Sequence, residues 1–336
     1  MASPLDTRGP ETVALSVVIP VRNDPTNLEH CLSALAASED CVYEVIVVDD
    51  ASTTDETAAV ARRHGVKLLR QEPHAGPAAA RNLGAGSARY DYLFFLDADV
   101  CVQPTTLKQI ATKFAESPDL NAFFGSYDAS PGAPGLLSQY RNLLHHYVHQ
   151  SGNEDAFSFW SGCGAVKKSV FLDLGGFDIG YASASVEDIE LGARLRDAGH
   201  RIELDKSIQV KHMKRWTLWG MIHTDIKNRA IPWTLLLLRQ GDIPNDLNLR
   251  HSQRLSAVLA GGLVVALSQL WLLAAAACMA GIVACNLGFY RFLVRAKNPL
   301  FALVVIPLHA LYYLYSSLAF AWGLATHFWR RMTGSG

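Results

Sequence analysis

Apolar runs alternate with amphipathic stretches in the first third of the chain. Four runs rich in Val, Ile, Leu and Phe predict β-strands at residues 14–20, 43–50, 66–70 and 92–99. Apolar residues recur at helical spacing between them, over 27–37, 54–64 and 76–88. Strands alternating with helices of this length favour right-handed crossovers and a mainly parallel sheet covered on both faces. The expected fold class is therefore a doubly wound, Rossmann-like α/β sheet.

The pattern becomes mixed between Asn121 and Val210. It predicts a helix over 136–150, a Gly-rich turn at "SGCGA", a second helix from Glu187 to Ala198 that Gly199 ends, and a short strand at 208–210. These elements are expected to complete the sheet as an α+β half.

Two long segments near the C-terminus, 255–290 and 298–329, contain no Asp, Glu, Lys or Arg and predict a membrane region. A single helix over 255–290 would be about 54 Å long, against a hydrocarbon core of about 30 Å. The absence of Pro, Asn and Gly between Leu263 and Ala280 favours one tilted helix. The flanking basic residues favour helical hairpins instead, so two, three or four spans are compatible with the sequence.

Residues 213–240 mix three tryptophans with lysines and arginines. Such a segment is typical of a helix lying in the membrane interface, and equally of a helix that closes a soluble domain.

Composition excludes several function classes. The net charge is −1 and there is no basic stripe with interleaved aromatic residues, so nucleic acid is not an expected partner. The six cysteines form no CxxC pair, which indicates reduced thiols in a cytosol-facing protein and not a zinc site. The first residues lack a charged segment followed by an apolar one, so nothing indicates export of the soluble part.

Polar residues stand where three of the predicted strands end. Asp97 and Asp99 close one strand, Asp50 closes another, and Asn23 follows the first. Ligands of such sheets bind beyond the carboxyl ends of the strands. Paired carboxylates suit Mg²⁺ or Mn²⁺, which would neutralise a pyrophosphate leaving group. D-x-D pairs are also frequent in turns, so the pair alone does not decide between the two interpretations.

Six motifs occur in a specific order between Leu15 and Trp216: "SVVIPVRND", "VIVVDDAST", "GPAAARNLGA", "FFLDADV", "GGFD" and "VEDIELGARL". In this order the chain resembles the family 2 glycosyltransferases, nucleotide-sugar-dependent enzymes with the glycosyltransferase A type fold. The resemblance implies a UDP- or GDP-linked sugar donor and a divalent cofactor, Mg²⁺ or Mn²⁺.

The resemblance also assigns donor-side roles. Pro20 and Asn23 would lie against the base and ribose, and Asp50 would accept hydrogen bonds from the nucleoside. Arg81 would lie near the nucleotide, unless it is a solvated surface arginine, and Asp97 would approach the ribose or the metal. Arg22 replaces a tyrosine common in the family, which removes the expected stacking under the base.

Two further residues complete the expected metal site. Asp99 would be the more direct ligand. His212 would be a third ligand, or else a histidine at a basic membrane surface.

Acceptor-side roles follow from the later motifs. Asp188 would be the general base that takes a proton from the attacking hydroxyl, and Glu187 would orient the acceptor. Acidic residues also favour helix N-termini for structural reasons alone. Acceptor contacts are further expected from Gly162, Cys163, Gly164, Arg215 and Trp216. His212 fills the Gln position of the family's QxxRW motif, so processive synthesis is not supported.

The sequence therefore predicts an inverting, metal-dependent transfer of sugar to a hydroxyl of a lipid or membrane-linked glycan. Transfer to a polyprenyl phosphate is the alternative, and a sugar-phosphate nucleotidyltransferase or a non-catalytic scaffold are more remote. The predicted organisation is a flexible N-terminus (1–12), a catalytic domain (13–212), interface helices (213–250) and a transmembrane region (251–336). The catalytic domain is expected in the cytosol beneath an inner membrane. The sequence does not indicate an oligomeric state.

Overall fold

The computed structural model describes residues 13–181, 183–240 and 245–333. The segment expected to be a flexible N-terminus, 1–12, lies outside these ranges. The chain forms two compact units. The first comprises residues 1–126, 154–182 and 187–213, and the second comprises residues 127–153, 183–186 and 214–336. Each unit thus draws on several separate parts of the sequence.

A single eight-stranded sheet forms the framework of the first unit. Its strands are β1 (Leu15–Val21), β2 (Tyr43–Asp50), β3 (Lys67–Gln71), β4 (Tyr92–Leu96), β5 (Val100–Cys101), β6 (Ala122–Tyr127), β7 (Cys163–Lys167) and β8 (Ile202–His212). Their order across the sheet is β3-β2-β1-β4-β7-β6-β8-β5. The α/β class expected from the sequence is confirmed.

The sheet has a parallel half and an antiparallel half. Strands β3, β2, β1 and β4 are parallel, as the crossover pattern predicted. Strand β7 is antiparallel to both β4 and β6, and β5 is antiparallel to β8. The sheet is therefore mixed, because β7 is antiparallel to both of its neighbours although helices also separate the later strands along the chain.

Seven helices lie within the part of the chain that carries this sheet: α1 (Pro25–Ala36), α2 (Glu56–Arg63), α3 (Pro77–Gly86), α4 (Thr106–Glu116), α5 (Leu136–Ser151), α6 (Lys168–Asp173) and α7 (Glu187–Asp197). The five helices predicted here, α1, α2, α3, α5 and α7, are confirmed within a few residues. Gly199 adopts a φ of +80° and ends α7, as expected of a residue without a Cβ atom.

The "SGCGA" segment was predicted to be a turn, which is confirmed for Ser161 and Gly162 but is wrong for the residues from Cys163 onward. Cys163 to Lys167 form β7, which lies inside the sheet with Gly164 opposite Phe95 of β4. A Cβ atom on Gly164 would lie 2.4 Å from the carbonyl oxygen of Trp160 and 2.5 Å from the ring of Phe159. The glycine therefore marks a close approach of the preceding segment to a strand and not a turn.

Gly164→Ala is expected to destabilise the protein by about 1–3 kcal/mol, because the added methyl group meets backbone that cannot move freely. Gly86→Ala is the matched control, since a Cβ atom there would meet nothing within 4 Å. Thermal unfolding of both variants measures the difference. Equal unfolding temperatures for the two would contradict the packing described.

The second unit consists of helices. Beyond α5 they are α8 (Leu218–His223), a π-helix (Thr224–Ala230), α9 (Ile231–Gln240), a 3₁₀ turn (Leu247–Leu249), α10 (His251–Ser268), α11 (Leu272–Cys285), α12 (Leu287–Ala296) and α13 (Pro299–Thr333). The single tilted helix favoured for 255–290 is wrong. The chain turns at Leu270, whose φ is +58°, and α11 packs back on α10, where a Cβ on Gly281 would lie 2.8 Å from Leu259.

One helix of the described residues is long and apolar enough to cross a membrane by itself, over 299–329 of α13. Helices α11 and α12 pass the same test only when taken together, and they bend by 68° at Asn286. Asn286 is buried, donates to Ser256 Oγ at 2.9 Å and accepts from Tyr313 Oη at 2.7 Å. The amide at the bend thus joins three helices through satisfied hydrogen bonds.

Candidate active site

Loops at the carboxyl ends of β1 and β2 are tied together by Asn23. Its backbone N–H donates to Ser52 Oγ at 2.9 Å, and its Oδ1 accepts from Thr53 N at 2.7 Å and from Thr53 Oγ1 at 3.1 Å. Asn23 has a φ of +53°, a conformation that Asn tolerates better than most residues. Pro20 lies in β1 opposite Val48. Pro20 and Asn23, the residues expected to face the base and ribose, therefore lie at the carboxyl end of β1 and in the loop that follows it.

Asp50 organises the loop that precedes α3. Its Oδ1 accepts from Gln71 Nε2 and Ala75 N at 2.8 and 3.0 Å. Its Oδ2 contacts His74 Nδ1 at 2.7 Å and accepts from Gly76 N at 2.9 Å. The carboxylate is 3% exposed, so its direct role in this structure is to hold the loop. Its contact with a nucleoside stays a prediction.

Arg81 lies at the centre of the candidate site and is not a surface arginine, since it is 4% exposed. Its Nη2 donates to Asp97 Oδ1 at 2.7 Å, and its Nη1 donates to Glu187 Oε1 at 2.9 Å. Burial alone would lower the pKa of Arg81, but the charges of Asp97, Glu187 and Asp188 raise it. One guanidinium therefore neutralises carboxylates from two distant parts of the sequence.

The residue after Arg81 fixes the Gly-Gly-Phe turn. Asn82 Nδ2 donates to the Phe177 carbonyl at 2.8 Å, and Asn82 Oδ1 accepts from Phe177 N at 2.8 Å. Gly176 has a φ of +73°, and a Cβ there would lie 2.5 Å from Asn82 Oδ1. The Phe177 ring lies 5.5 Å from the Arg81 guanidinium carbon. The "RN" and "GGFD" motifs are thus two sides of one contact.

Asp188, the predicted general base, is held near the start of α7. Its Oδ2 accepts from Ser161 N at 3.2 Å and Ser161 Oγ at 3.3 Å, while Oδ1 accepts from Ile189 N at 2.9 Å. Burial of the carboxylate and the charge of Glu187 raise the pKa of Asp188 to about 6, against the opposing effects of Arg81 and Ser161. The side chain is therefore a stronger base than an ordinary aspartate.

Asp99 and His212 meet where β5 pairs with β8. His212 Nε2 lies 3.4 Å from Asp99 Oδ2, and Met213 N donates to the Asp99 carbonyl at 2.8 Å. Among residues 13–181, 183–240 and 245–333, no three His, Cys, Asp or Glu side chains are grouped closely enough to hold a metal ion. A carboxylate oxygen and an imidazole nitrogen at this separation nevertheless fit two adjacent positions around Mg²⁺ or Mn²⁺, ions that keep water and phosphate ligands.

The predicted acceptor residues fall in two places. Gly162 accepts from Asp97 N at 3.4 Å, and a Cβ on it would lie 2.6 Å from the Trp160 indole. Cys163 is 1% exposed, and burial raises the pKa of its thiol to about 12, so the thiol is inert and faces protein. In this segment the Gly162 carbonyl contacts Asp97, and the backbone N–H and hydroxyl of Ser161 contact Asp188.

Arg215 and Trp216 belong to the second unit. Arg215 is exposed. Trp216 N donates to Ser138 Oγ at 2.8 Å, and its ring lies 4.9 Å from Lys214 Nζ. Their predicted part in acceptor binding stays a prediction.

Several residues of the site were not found from the sequence. Ser161 orients the base, His74 contacts Asp50, and Asn82 fixes the Phe177 turn. Asn82 could have been found, because it is adjacent to Arg81 in a recognised motif. Ser161 and His74 carry no such signal, since their role depends on which carboxylate the fold brings near them.

The candidate site thus consists of a parallel half-sheet with polar strand-end loops, a carboxylate pair after β4 and an aspartate held on α7. Residues 16–175 match the family model described as glycosyl transferase family 2. The match confirms the resemblance seen in the motifs of this part of the chain.

The chain is also similar to proteins that are named as glycosyltransferases. The chain is 27% identical over 192 residues to an uncharacterized glycosyltransferase of Haemophilus influenzae, covering 54% of this chain and 61% of that protein. It is 26% identical over 277 residues to the pre-mycofactocin glycosyltransferase of Mycobacterium tuberculosis, covering 79% and 54%. The chain thus spans between 54% and 61% of the length of these relatives.

A solved structure shows the same fold. The mannosyltransferase PcManGT from Pyrobaculum calidifontis, in complex with GDP-Man and Mn²⁺, matches with a TM-score of 0.59. The match covers 95% of this chain and 91% of that chain at 19% identity.

Proposed function

We propose that the protein transfers a sugar from a nucleotide-sugar donor to a hydroxyl group of a lipid or membrane-linked glycan, with inversion at the anomeric carbon. The observation that carries this proposal is Asp188, a carboxylate with a raised pKa that Ser161 orients beside the Arg81 cluster. A hydroxyl acceptor must lose a proton as it attacks, whereas a phosphate acceptor is already ionised. A positioned base therefore favours a hydroxyl acceptor.

Each side chain then has a separate task. A carboxylate oxygen of Asp188 accepts the proton of the attacking hydroxyl, while Ser161 keeps the carboxylate in place. Arg81 holds Asp97 and Glu187 in place through an ion pair with each. Asp99 and His212 would hold a divalent cation, which when bound supplies positive charge for the departing diphosphate. Pro20 and Asn23 would contact the nucleoside. A single direct displacement inverts the anomeric configuration.

A candidate membrane helix supports the proposal that the acceptor stays in the bilayer. Residues 299–329 form a helix that can cross a membrane, and Trp219 of α8 is 75% exposed. An exposed tryptophan near basic residues is typical of a segment at the membrane interface. We assign residues 213–250 to that interface and place the family 2 domain in the cytosol, where nucleotide sugars are made.

Donor and metal binding can be tested together by thermal unfolding of the full chain with UDP- or GDP-sugars and Mn²⁺. Asp99→Asn and His212→Ala should each abolish the stabilisation that Mn²⁺ adds in the presence of a nucleotide, because each removes one of two protein ligands. Asp91→Asn, an exposed carboxylate before β4, is the matched control and should behave like the wild type. If no nucleotide raises the unfolding temperature, the proposed donor site is contradicted. If the protein transfers sugar at the full rate in EDTA, the proposed role of the metal ion is contradicted.

A further inference from the structure

The second unit contains a cavity of about 450 Å³, and none of its lining residues belongs to the candidate active site. Its lining comes from α5, the π-helix, α9, α10 and α13, so it lies among the helices that include the candidate membrane span. The volume falls in the range of about 300–1,000 Å³ that is typical of small-molecule sites.

The lining of this cavity carries more positive than negative side chains. Three arginines line it, Arg141, Arg229 and Arg254, together with one acidic residue, Asp225. Asp225 is 4% exposed, forms an ion pair with Arg141 and accepts from Tyr315 Oη at 2.7 Å. The negative charge of the lining is therefore matched by Arg141 within the unit, and the lining as a whole carries an excess of positive charge.

Arg229 is the arginine best placed to meet a ligand. It is partly exposed, and in the described part of the chain it has no hydrogen bond or ion pair. Arg254 donates through Nε to the Leu249 carbonyl at 2.7 Å, which holds its guanidinium against the lining. Arginines at such a position are suited to phosphate, which they bind through two parallel hydrogen bonds.

The rest of the lining is largely apolar, with Leu237, Ala257, Val258 and Phe320 among its members. Trp233 also lines the cavity, and its indole Nε1 is buried with no acceptor among residues 13–181, 183–240 and 245–333. A buried donor without an acceptor is unfavourable, and an oxygen atom of a bound ligand would remove this cost by accepting its hydrogen bond. The cavity thus combines cationic and donor groups with an apolar surface.

We propose that this cavity binds the phosphate-bearing end of a single-chain lipid, with Arg229 and Arg254 on the phosphate and the apolar residues on the first part of the chain. Basic pockets between membrane helices bind anionic lipid headgroups by the same combination of charge and apolar surface. The inference rests on the proposed function, because it names the class of acceptor carrier: a lipid phosphate or diphosphate that presents its hydroxyl-bearing group for transfer.

Equilibrium binding of radiolabelled farnesyl phosphate to the full chain in detergent tests this inference. We expect saturable binding that Arg229→Gln weakens about tenfold or more, since a charge-assisted hydrogen bond is lost. Arg239→Gln is the matched control: this exposed arginine lies on α9 and does not line the cavity. Farnesol has only the apolar chain and inorganic phosphate only the charged group, so each should compete only weakly with farnesyl phosphate.

A second variant tests the inference if Arg229→Gln does not fold. Ala257→Trp fills the apolar part of the cavity and should abolish binding without touching the arginines. Equal affinity in Arg229→Gln and Arg239→Gln would overturn the inference. Displacement of farnesyl phosphate by equimolar phosphatidylglycerol would overturn it too, since the cavity would then be a site for bilayer phospholipid.

Failure of the proposed function is separately visible. Wild-type protein should slowly hydrolyse its nucleotide sugar without any acceptor, a reading that involves only the family 2 domain. Absent hydrolysis with normal farnesyl phosphate binding would contradict the proposed function and support the lipid site. Normal hydrolysis without saturable farnesyl phosphate binding would contradict the lipid site.

Discussion

Asp188→Asn is expected to reduce sugar transfer by between about 10²-fold and 10⁴-fold, the range measured for loss of a general base. The amide oxygen can accept the hydrogen bonds from Ser161, so the substitution removes the basicity and one hydrogen bond, the one from Ile189 N. Steady-state transfer with the donor that the thermal screen identifies measures the loss. KM for the donor should change little, because Asp188 acts on the acceptor.

Stability provides an internal control for this variant. The pKa of Asp188 rises from 3.8 to about 6 on folding, so at a pH above about 6 its negative charge destabilises the folded protein relative to the unfolded chain. Replacement by an amide should therefore leave the unfolding temperature unchanged or higher. Asp197→Asn, an exposed carboxylate on the same helix, should retain full activity. Transfer by Asp188→Asn at the rate of Asp197→Asn would exclude Asp188 as the base.

The same assignment fixes the pH dependence of transfer. The base works only when ionised, so the rate should rise with pH through a midpoint near about 6 and then level off. The groups that act on Asp188 are Glu187 on its own helix, Arg81 on α3, Asp97 after β4 and the Ser161 N–H. Glu187→Gln removes the negative charge that raises the pKa, so the midpoint should move to lower pH.

Arg81→Met is expected to destabilise the protein by about 3–5 kcal/mol, the usual cost of leaving a buried charge without its partner. Glu187 is 3% exposed and loses the guanidinium that neutralises it, and Asp97 loses its hydrogen bond. Methionine keeps most of the side-chain volume, so the loss is electrostatic and not a cavity effect. Thermal unfolding of the full chain in detergent gives the measurement.

A double variant separates charge from packing. Arg81→Met combined with Glu187→Gln removes both members of the buried pair and should recover part of the lost stability. Arg63→Met is the control for removing any arginine: its ion pair with Glu29 is exposed, and such pairs contribute at most about 1 kcal/mol. A single variant as stable as Arg63→Met would contradict the central position of Arg81.

Local pattern was sufficient to predict the first half of the sheet. Strands β1 to β4 and helices α1 to α3 each carry their own apolar periodicity, and every one of them is followed by a turn signal. The candidate site could be predicted to the level of its acidic residues, because carboxylates at strand ends and a helix start stand out from an apolar background.

The remaining features depend on tertiary context. Strand β7 contains Gly164, which lowers strand propensity but allows Phe159 and Trp160 to approach. The turn at Leu270 has no Gly or Pro, so nothing local distinguishes a hairpin from a long helix. The burial of Arg81 could not be predicted from its motif, which is compatible with a buried or an exposed arginine. Burial depends on Asp97 and Glu187, which lie 16 and 106 positions away in the sequence.

That separation limits how the enzyme can be re-engineered. Arg81 joins the carboxylate after β4 to the one at the start of α7, so these two segments share one buried cation. A chimera that takes only the α7 region from a relative brings in acidic residues that the host arginine has to neutralise. The α7 region is therefore best exchanged together with residue 81.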